Sequence, residues 1–368
     1  MPHEPLNWKP DVLGEGFRSL TLELGEDDEG PLAATLVSYV PGSAVSDSAV
    51  PDVSVPDVTV PDISVPDSAV RVPAVPVHTA REPGTVDAVL YLHGWSDYFF
   101  QADLARFWAG EGAAFYALDL RKYGRSLRPG QSEGYVADLQ EYDADIDAAL
   151  AALAVDVRSR YGTGAVPRIT LMAHSTGGLV ASLWAHRHPG RLHALILNSP
   201  WLEISGSSML RFATSGLLEP VARRRPKTRL KIPEFGFYFR SISAEMDGEW
   251  PVDPLWRPPF SFPVRAGWIK AVLGGHAQVA RGLDIDVPIL LLASAASTIA
   301  PVWSPQMLRT DSVLDVSLMV QRGLLLGPEV TVYRFEGALH DTLLSALPVR
   351  NRVYAGIRRW ASAFVFGG

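Results

Sequence analysis

Ser175 is the residue of this 368-residue chain whose surroundings point most directly to chemistry. It ends a largely apolar stretch and stands in the sequence Ala-His-Ser-Thr-Gly, with Ala173 two residues before it and Gly177 two residues after it. A serine on a sharp turn between a strand and a helix needs such small neighbours, because a bulky side chain would collide with one of the two elements. The pattern predicts a nucleophile elbow. The alternative is a helix-capping serine before a glycine-rich turn.

A second reactive residue, His340, follows a predicted strand near the end of the chain. Residues 330–335 have the composition of a strand, and Gly337-Ala338-Leu339-His340-Asp341 comes next. Catalytic groups gather where parallel strands end at one edge of a sheet. A serine hydroxyl is a weak nucleophile, so a histidine must remove its proton and an acid must hold the imidazole in the right tautomer. The sequence therefore predicts Ser175 and His340 as two members of a catalytic triad.

The acid of this triad has two candidates in the sequence. The strand predicted at 288–293 continues into residues 294–297, which contain no carboxylate. The next acids along the chain are Asp311 and Asp315. Residues 313–320 have a helical pattern, so either aspartate could instead stabilise the first turn of a helix. For Asp315 this second interpretation is the favoured one.

The elements that must position these residues alternate along the chain. Strands are predicted near 88–92, 114–118, 168–173, 194–198, 288–293 and 330–335, and helices near 101–110, 136–160, 176–188 and 345–363. Such alternation predicts an α/β protein with a doubly wound, mostly parallel sheet and crossover helices. The length and the 47% hydrophobic content suit one large domain with an inserted cap.

Five features, in this order, resemble the α/β-hydrolase superfamily, and in particular its serine aminopeptidase S33-like and monoacylglycerol-lipase-like branch. They lie within residues 86 to 365 and are His93-Gly94-Trp95, Asp119 with Gly124-Arg125-Ser126, the Ser175 elbow, Asn198-Ser199-Pro200-Trp201, and Gly337-Ala338-Leu339-His340. The resemblance implies the α/β-hydrolase fold. It also implies the chain order of serine, acid and histidine that this fold uses.

The resemblance assigns further roles at the site. The backbone N–H groups of Trp95 and Thr176 would form the oxyanion hole, and His93 and Gly94 would shape the loop that carries Trp95. The segment Asp311-Ser312-Val313-Leu314-Asp315 resembles the pattern around the acid in this branch. That pattern favours Asp311 as the triad acid, with Asp315 as the second choice.

One segment departs from the branch. Its members have further His and Arg-Tyr residues after the His-Gly motif, whereas this chain has Ser96-Asp97-Tyr98-Phe99-Phe100. Details of the substrate are therefore not transferred from the branch.

The sequence predicts four segments. Residues 1–40 should supply strands that pack on the core, and residues 41–85, with Pro-Asp repeated every five residues, a disordered low-complexity loop. Residues 86–200 and 267–368 should form the α/β-hydrolase core, and 201–266 a cap. Aromatic residues crowd this cap and its border: Phe235, Phe237, Tyr238, Phe239, Trp250, Trp256, Phe260, Phe262 and Trp268. They predict either an apolar substrate pocket or packing of the cap on the core.

The function predicted from these residues is that of a serine hydrolase of carboxylic esters, acting on a small lipophilic or monoacylglycerol-like ester. The same triad would serve an acyltransferase or an aminopeptidase-like peptidase, which needs acids such as Glu203, Glu234 or Glu245 to hold the substrate amine. A protein of another class would bind a hydrophobic ligand on this fold without turnover.

Composition limits the remaining possibilities. The chain has no cysteine, which excludes disulfides and thiol chemistry. It shows no signal-peptide pattern and no apolar run long enough to span a membrane, so a cytoplasmic protein without stable membrane insertion is expected. No cofactor or metal is predicted, and the six cations within residues 223–231 lack the features of a nucleic-acid site. The oligomeric state stays open.

Overall fold

The computed structural model describes residues 6–42, 84–204 and 218–367. Nine strands in this part of the chain form one sheet: β1 (Lys9–Pro10), β2 (Phe17–Asp27), β3 (Gly30–Tyr39), β4 (Thr85–Leu92), β5 (Ala114–Asp119), β6 (Val166–His174), β7 (Ala194–Asn198), β8 (Ile289–Ser294) and β9 (Val330–Phe335). Their order is β1-β2-β3-β5-β4-β6-β7-β8-β9, with β4 to β9 parallel and β1 to β3 antiparallel. The predicted mostly parallel sheet is confirmed.

Helices flank both faces of this sheet. The described helices are α1 (Ala102–Gly110), α2 (Tyr142–Tyr161), α3 (Ser175–Arg187), α4 (Leu218–Arg224), α5 (Phe237–Ile242), α6 (Ala266–Ala280), α7 (Val316–Gly323) and α8 (Leu347–Phe364). Successive residues of β4 alternate between two cores: Leu90 packs in the cluster with α2, α3 and α6, and Val89 in the cluster with α1 and α8. A strand buried on both faces is expected to be largely apolar, as β4 is from Ala88 to Leu92.

The N-terminal strands join the central sheet, and their side chains pack in the cores on both of its faces. β3 pairs antiparallel with β5 and so extends the sheet beyond its parallel part. The turn between β2 and β3 is acidic, and it holds two lysines. Lys122 Nζ lies 2.5 Å from Asp27 and 2.7 Å from Glu29, and Lys227 Nζ lies 2.6 Å from Asp28. Lys122 is buried and therefore needs these partners. The predicted disordered loop lies outside the described residues over 43–83.

Residues 201–266, between β7 and α6, form a segment that we call the insertion. The structure describes its residues 201–204 and 218–266, which include α4 and α5. The residues just before α6 lie beside residues near 230 of the same insertion, and the Leu230 N–H donates to the Val264 carbonyl at 2.8 Å. Several of its side chains line the same cavity as Ser175. The described part of the insertion therefore lies over the carboxyl edge of the sheet, where a cap was predicted.

His276 on α6 links this helix to the start of the insertion. We expect it to make the free energy of unfolding depend on pH. Its Nε2–H donates to the Trp201 carbonyl at 2.9 Å, and burial lowers the pKa of His276 to about 4. An unfolded histidine titrates near pH 6.5, so protons favour the unfolded chain between pH 6.5 and 4. We expect this histidine to contribute about 3 kcal/mol of stability above pH 6.5, lost as the pH falls toward 4.

The measurement is the free energy of unfolding by urea at pH 7 and at pH 4, for the wild type and for His276→Gln. Glutamine keeps a donor for the Trp201 carbonyl and does not titrate. The variant should therefore lose less stability on acidification than the wild type does. An equal loss in both proteins would show that other groups cause the acid sensitivity.

Candidate active site

Ser175 occupies a strained turn between β6 and α3. It is the first residue of α3, directly after β6 ends at His174, and its φ of 52° lies in the left-handed region. Such a conformation persists where the surrounding structure enforces it. A Cβ atom on Gly177 would lie 2.2 Å from the His93 carbonyl oxygen, so only glycine allows α3 to approach the loop after β4 this closely. The contact that requires a glycine at 177 is therefore with the loop after β4, and not with β6 or α3 as the sequence analysis expected.

The structure brings Ser175, His340 and Asp311 into one hydrogen-bonded chain. His340 Nε2 lies 3.0 Å from Ser175 Oγ, and its Nδ1 lies 2.9 Å from Asp311 Oδ2. All three residues are buried. Because a carboxylate accepts hydrogen bonds, it favours the proton on Nδ1, which leaves the Nε2 lone pair to accept the serine proton. This arrangement can activate the hydroxyl as a nucleophile.

Asp311 reaches His340 because its loop pairs with the segment just after β8. The Asp311 N–H donates to the Ala296 carbonyl at 2.9 Å, and the Thr298 N–H donates to the Asp311 carbonyl at 2.8 Å. The Val313 and Leu314 N–H groups each donate to Asp311 Oδ1 at 2.8 Å, which fixes the carboxylate plane. The other oxygen is thereby directed at His340.

Asp315, the second candidate for the acid, is placed differently. Its carboxylate precedes α7 and accepts hydrogen bonds from the Ser317 N–H at 2.9 Å and the Leu318 N–H at 3.1 Å. These contacts are those of a helix N-cap. Of the two aspartates, the structure brings Asp311 to the histidine.

The loop after β4 presents the Trp95 amide. The Leu120 N–H donates to His93 Nε2 at 3.1 Å, so the proton of His93 is on Nδ1, which donates to the Gly94 carbonyl at 2.8 Å. The carbonyl of Gly94 and the N–H of Trp95 belong to one planar peptide and point in opposite directions. His93 therefore turns the Trp95 N–H away from itself.

The two predicted oxyanion donors, the N–H groups of Trp95 and Thr176, both lie close to Ser175. A Cβ atom on Gly94 would lie 3.1 Å from Ser175 Cβ, which shows how closely this loop passes the elbow. Thr176 is the second residue of α3, and the N–H groups of a first helical turn have no acceptor within the helix. Both Trp95 and Thr176 line the same cavity as Ser175. The positive end of the α3 dipole also favours a negative charge here.

A cavity of 840 Å³ lies over these residues, between the sheet edge and the insertion. Its walls are mainly apolar and include Trp95, Trp201, Leu230, Ile232, Phe235, Phe237, Phe239, Phe260, Phe262 and Trp268. Of the aromatic residues predicted for a pocket, Trp250 and Trp256 pack elsewhere. Trp250 Nε1–H donates to the Leu344 carbonyl at 2.9 Å, and Trp256 lies edge-on against Tyr98. The aromatic residues thus serve in part as walls and in part as packing.

Two buried charges, Asp97 and Arg257, were missed by the sequence reasoning. Arg257 Nη1 lies 2.6 Å from Asp97 Oδ1, and both residues line the cavity. Burial acts to lower the pKa of Arg257, but Asp97 and other nearby groups outweigh this effect and hold it above its ordinary value. The Tyr238 ring contacts both this pair and His340, and it is edge-on to His340 with the ring centroids 5.1 Å apart. The departure from the branch at Asp97 was the one available signal, since nothing local marks Arg257.

His174, which precedes Ser175, is a neutral neighbour of His340. Its ring centroid lies 4.8 Å from that of His340, and its Nδ1 lies 3.1 Å from the Asn198 carbonyl. Burial lowers the pKa of His174, and so His174 adds no charge beside His340 at neutral pH.

The acids that a peptidase would need are not gathered at the site. Glu234 lines the cavity, whereas Glu203 pairs with Arg322 at 2.6 Å and Glu245 is exposed. In the described ranges no group of His, Asp and Glu side chains is arranged to hold a metal ion. Among the helices of the same ranges, none is long and apolar enough to cross a membrane.

Comparison with known proteins identifies the family to which the chain belongs. Residues 85–320 match the family described as serine aminopeptidase, S33, and the chain belongs to this family of α/β hydrolases. The assignment made from the five sequence features is confirmed. A comparison with curated proteins finds no match.

Solved structures show the same fold at low sequence identity. The monoacylglycerol lipase of Paleococcus ferrophilus is 20% identical, with a TM-score of 0.53 over 74% of this chain and 93% of that chain. A soluble variant of monoglyceride lipase from Saccharomyces cerevisiae, bound to a substrate analogue, is 17% identical, with a TM-score of 0.53 over 75% of this chain and 86% of that chain. DcsB, bound to its substrate analogue, is 16% identical, with a TM-score of 0.55 over 95% of this chain and 100% of that chain.

Proposed function

We propose that this protein is a serine hydrolase that cleaves carboxylic esters through an acyl-enzyme on Ser175. The observation that carries the proposal is the hydrogen-bonded chain from Ser175 through His340 to Asp311. It stands in a mainly apolar cavity of 840 Å³, which is large enough for a lipophilic ester. Two of the structurally similar proteins are monoacylglycerol lipases, which adds support for an ester substrate.

The residues divide the reaction between them. Ser175 Oγ attacks the ester carbonyl carbon while His340 Nε2 takes its proton, and the carbonyl oxygen becomes an oxyanion held by the Trp95 and Thr176 N–H groups. As the tetrahedral intermediate collapses, His340 returns the proton to the leaving alcohol, and the acyl group stays on Ser175. Water then attacks the acyl-enzyme by the same steps and releases the acid. Asp311 keeps the imidazole tautomer and stabilises the imidazolium.

Aminopeptidase activity is the second candidate, because the family carries that name and Glu234 lines the cavity. A peptidase of this type must hold the free amine of its substrate, and a single glutamate is a weaker site than a cluster of acids. Acyl transfer would use the same acyl-enzyme with an alcohol in place of water. A purely ligand-binding role would not require the triad, whose contact distances are within the hydrogen-bond reach that a base and a nucleophile need.

The test is hydrolysis of p-nitrophenyl esters from acetate to palmitate, with aminoacyl p-nitroanilides measured beside them. We expect ester turnover with the highest kcat/KM at an intermediate acyl length, because the cavity walls are apolar and its volume is limited. Preference for the anilides would favour the peptidase. No turnover on any substrate, together with no labelling by a fluorophosphonate, would leave a binding protein.

A further inference from the structure

The loop after β4 is joined to the insertion by three consecutive residues. Ser96 Oγ accepts a hydrogen bond from the Phe262 N–H at 3.0 Å, Asp97 pairs with Arg257, and the Tyr98 hydroxyl accepts one from the Asp253 N–H at 2.9 Å. This is the segment in which the chain departs from its branch. Its side chains are therefore committed to holding the insertion.

The ion pair between Asp97 and Arg257 is the strongest of these links. Its side chains are 2% and 6% exposed, and the two atoms in contact are 2.6 Å apart. Asp97 Oδ1 also accepts the Tyr98 N–H at 2.9 Å, so the carboxylate is bound to its own loop as well as to the insertion. A hydrogen bond between two charges is stronger than one between neutral groups, and either charge is costly when buried alone.

These links reach the predicted oxyanion donor through one strained residue. Ser96 has a φ of 51°, a left-handed conformation that serine adopts only where its surroundings enforce it. Ser96 stands between Asp97 and Trp95 in the chain. The ring centroid of Trp95 lies 3.7 Å from that of Trp268. On the other side, His93 holds the carbonyl of Gly94. The Trp95 peptide is thus fixed from both ends, and one of these ends depends on Arg257.

We propose that Arg257 is a positioning residue for the oxyanion hole, acting through Asp97 on the Trp95 amide. The inference rests on the proposed function, since it assigns the Trp95 N–H to the transition state. An oxyanion donor must be held close to its productive position before the reaction begins. Loss of the ion pair should then lower kcat and leave the ground-state binding of the ester nearly unchanged.

A direct contact between Arg257 and the substrate is the competing explanation, because this residue also lines the cavity. The two explanations differ in kinetics. A guanidinium that binds the ester equally in the ground state and the transition state changes KM, whereas one that positions the amide changes kcat.

The experiment compares Arg257→Gln, Asp97→Asn and the double variant on the preferred p-nitrophenyl ester. Each single variant should lower kcat by about 100-fold with KM within about 2-fold, the loss typical of one oxyanion donor. The double variant leaves no unpaired charge and should recover about 10-fold of that loss. The rate of fluorophosphonate labelling at Ser175 should fall in parallel, because phosphonylation also builds negative charge on an oxygen in the oxyanion hole.

Arg240→Gln is the matched control. Arg240 lies in the same insertion, is half-exposed, pairs with Asp247, and does not line the cavity. It should leave kcat, KM and the labelling rate unchanged. If a single variant fails to fold by circular dichroism, Arg257→Lys replaces it. This variant keeps the charge, loses the planar fork, and should lower kcat by about 10-fold at constant KM.

The outcomes separate the inference from the proposed function. Single variants that keep the wild-type kcat and labelling rate would overturn the inference while ester hydrolysis stands. A rise in KM at constant kcat would overturn it in favour of substrate binding by Arg257. A wild type that is labelled by the fluorophosphonate but turns over no ester would contradict the proposed function alone, and the labelling rates of the variants would still decide the inference. A wild type that is not labelled overturns both.

Discussion

Ser175→Ala is expected to lower kcat for ester hydrolysis by about a million-fold, which places it at the background rate, with KM within about 2-fold. The variant lacks the oxygen that forms the acyl-enzyme, and the remaining triad has nothing to activate. Alanine is small enough for the turn, so the cavity that binds the ester should persist. The measurement is turnover of the preferred p-nitrophenyl ester, together with fluorophosphonate labelling followed by the mass of the intact protein.

Ser199→Ala is the matched control for this experiment. Ser199 is also buried, has a φ of 46°, and follows a neighbouring strand, so the same atom is removed from the same kind of backbone. It should keep its activity and its labelling. Residual turnover in Ser175→Ala at more than a hundredth of the wild-type rate would contradict Ser175 as the nucleophile.

Asp311→Asn is expected to lower kcat by about ten-thousand-fold, the loss seen when a triad acid becomes an amide. The Asn oxygen can still accept the N–H groups of Val313 and Leu314, which leaves the amide NH₂ facing His340 Nδ1. The proton of His340 then moves to Nε2, which can no longer accept the serine proton. The readout is kcat across the pH range, with folding verified by thermal melting.

Asp315→Asn is the control, because the same change is made four residues away. Asparagine caps helices as well as aspartate does, so the N-cap of α7 should persist and kcat should stay within about 2-fold. The reverse pattern, with activity lost in Asp315→Asn and kept in Asp311→Asn, would assign the acid to Asp315.

The parts of the site that the sequence could predict are those encoded locally. Ser175 is marked by small residues after a strand, and His340 by its position after another strand of the same parallel sheet. Because parallel strands end at one edge, two such local signals also predict that the residues meet. The fold follows from the same alternation, which the structure confirms.

The parts that the sequence could not decide depend on long-range pairing. The sequence favours Asp311 over Asp315 only through the resemblance to the branch, and the hydrogen bonds that bring Asp311 to His340 join its loop to the segment after β8. Arg257 meets Asp97 across 160 positions of the chain, with no periodic pattern to connect them. The pairing of β3 with β5 is likewise long-range, and nothing local in residues 30–39 marks β5 as the partner strand.

The family match covers residues 85–320, whereas the folded sheet begins with β1 and ends with β9. The match begins at residue 85 and ends at 320, so it contains Ser175 and Asp311 but not His340. It also leaves out β3, whose Leu36 and Val37 are completely buried against the rest of the sheet. A protein trimmed to residues 85–320 would therefore keep Ser175 without His340, the base in the proposed mechanism, and would expose the edge of β5. A comparison restricted to that stretch leaves out the histidine on which the proposed chemistry depends. The boundaries of the family match are therefore not the boundaries of a unit that would fold and act by itself.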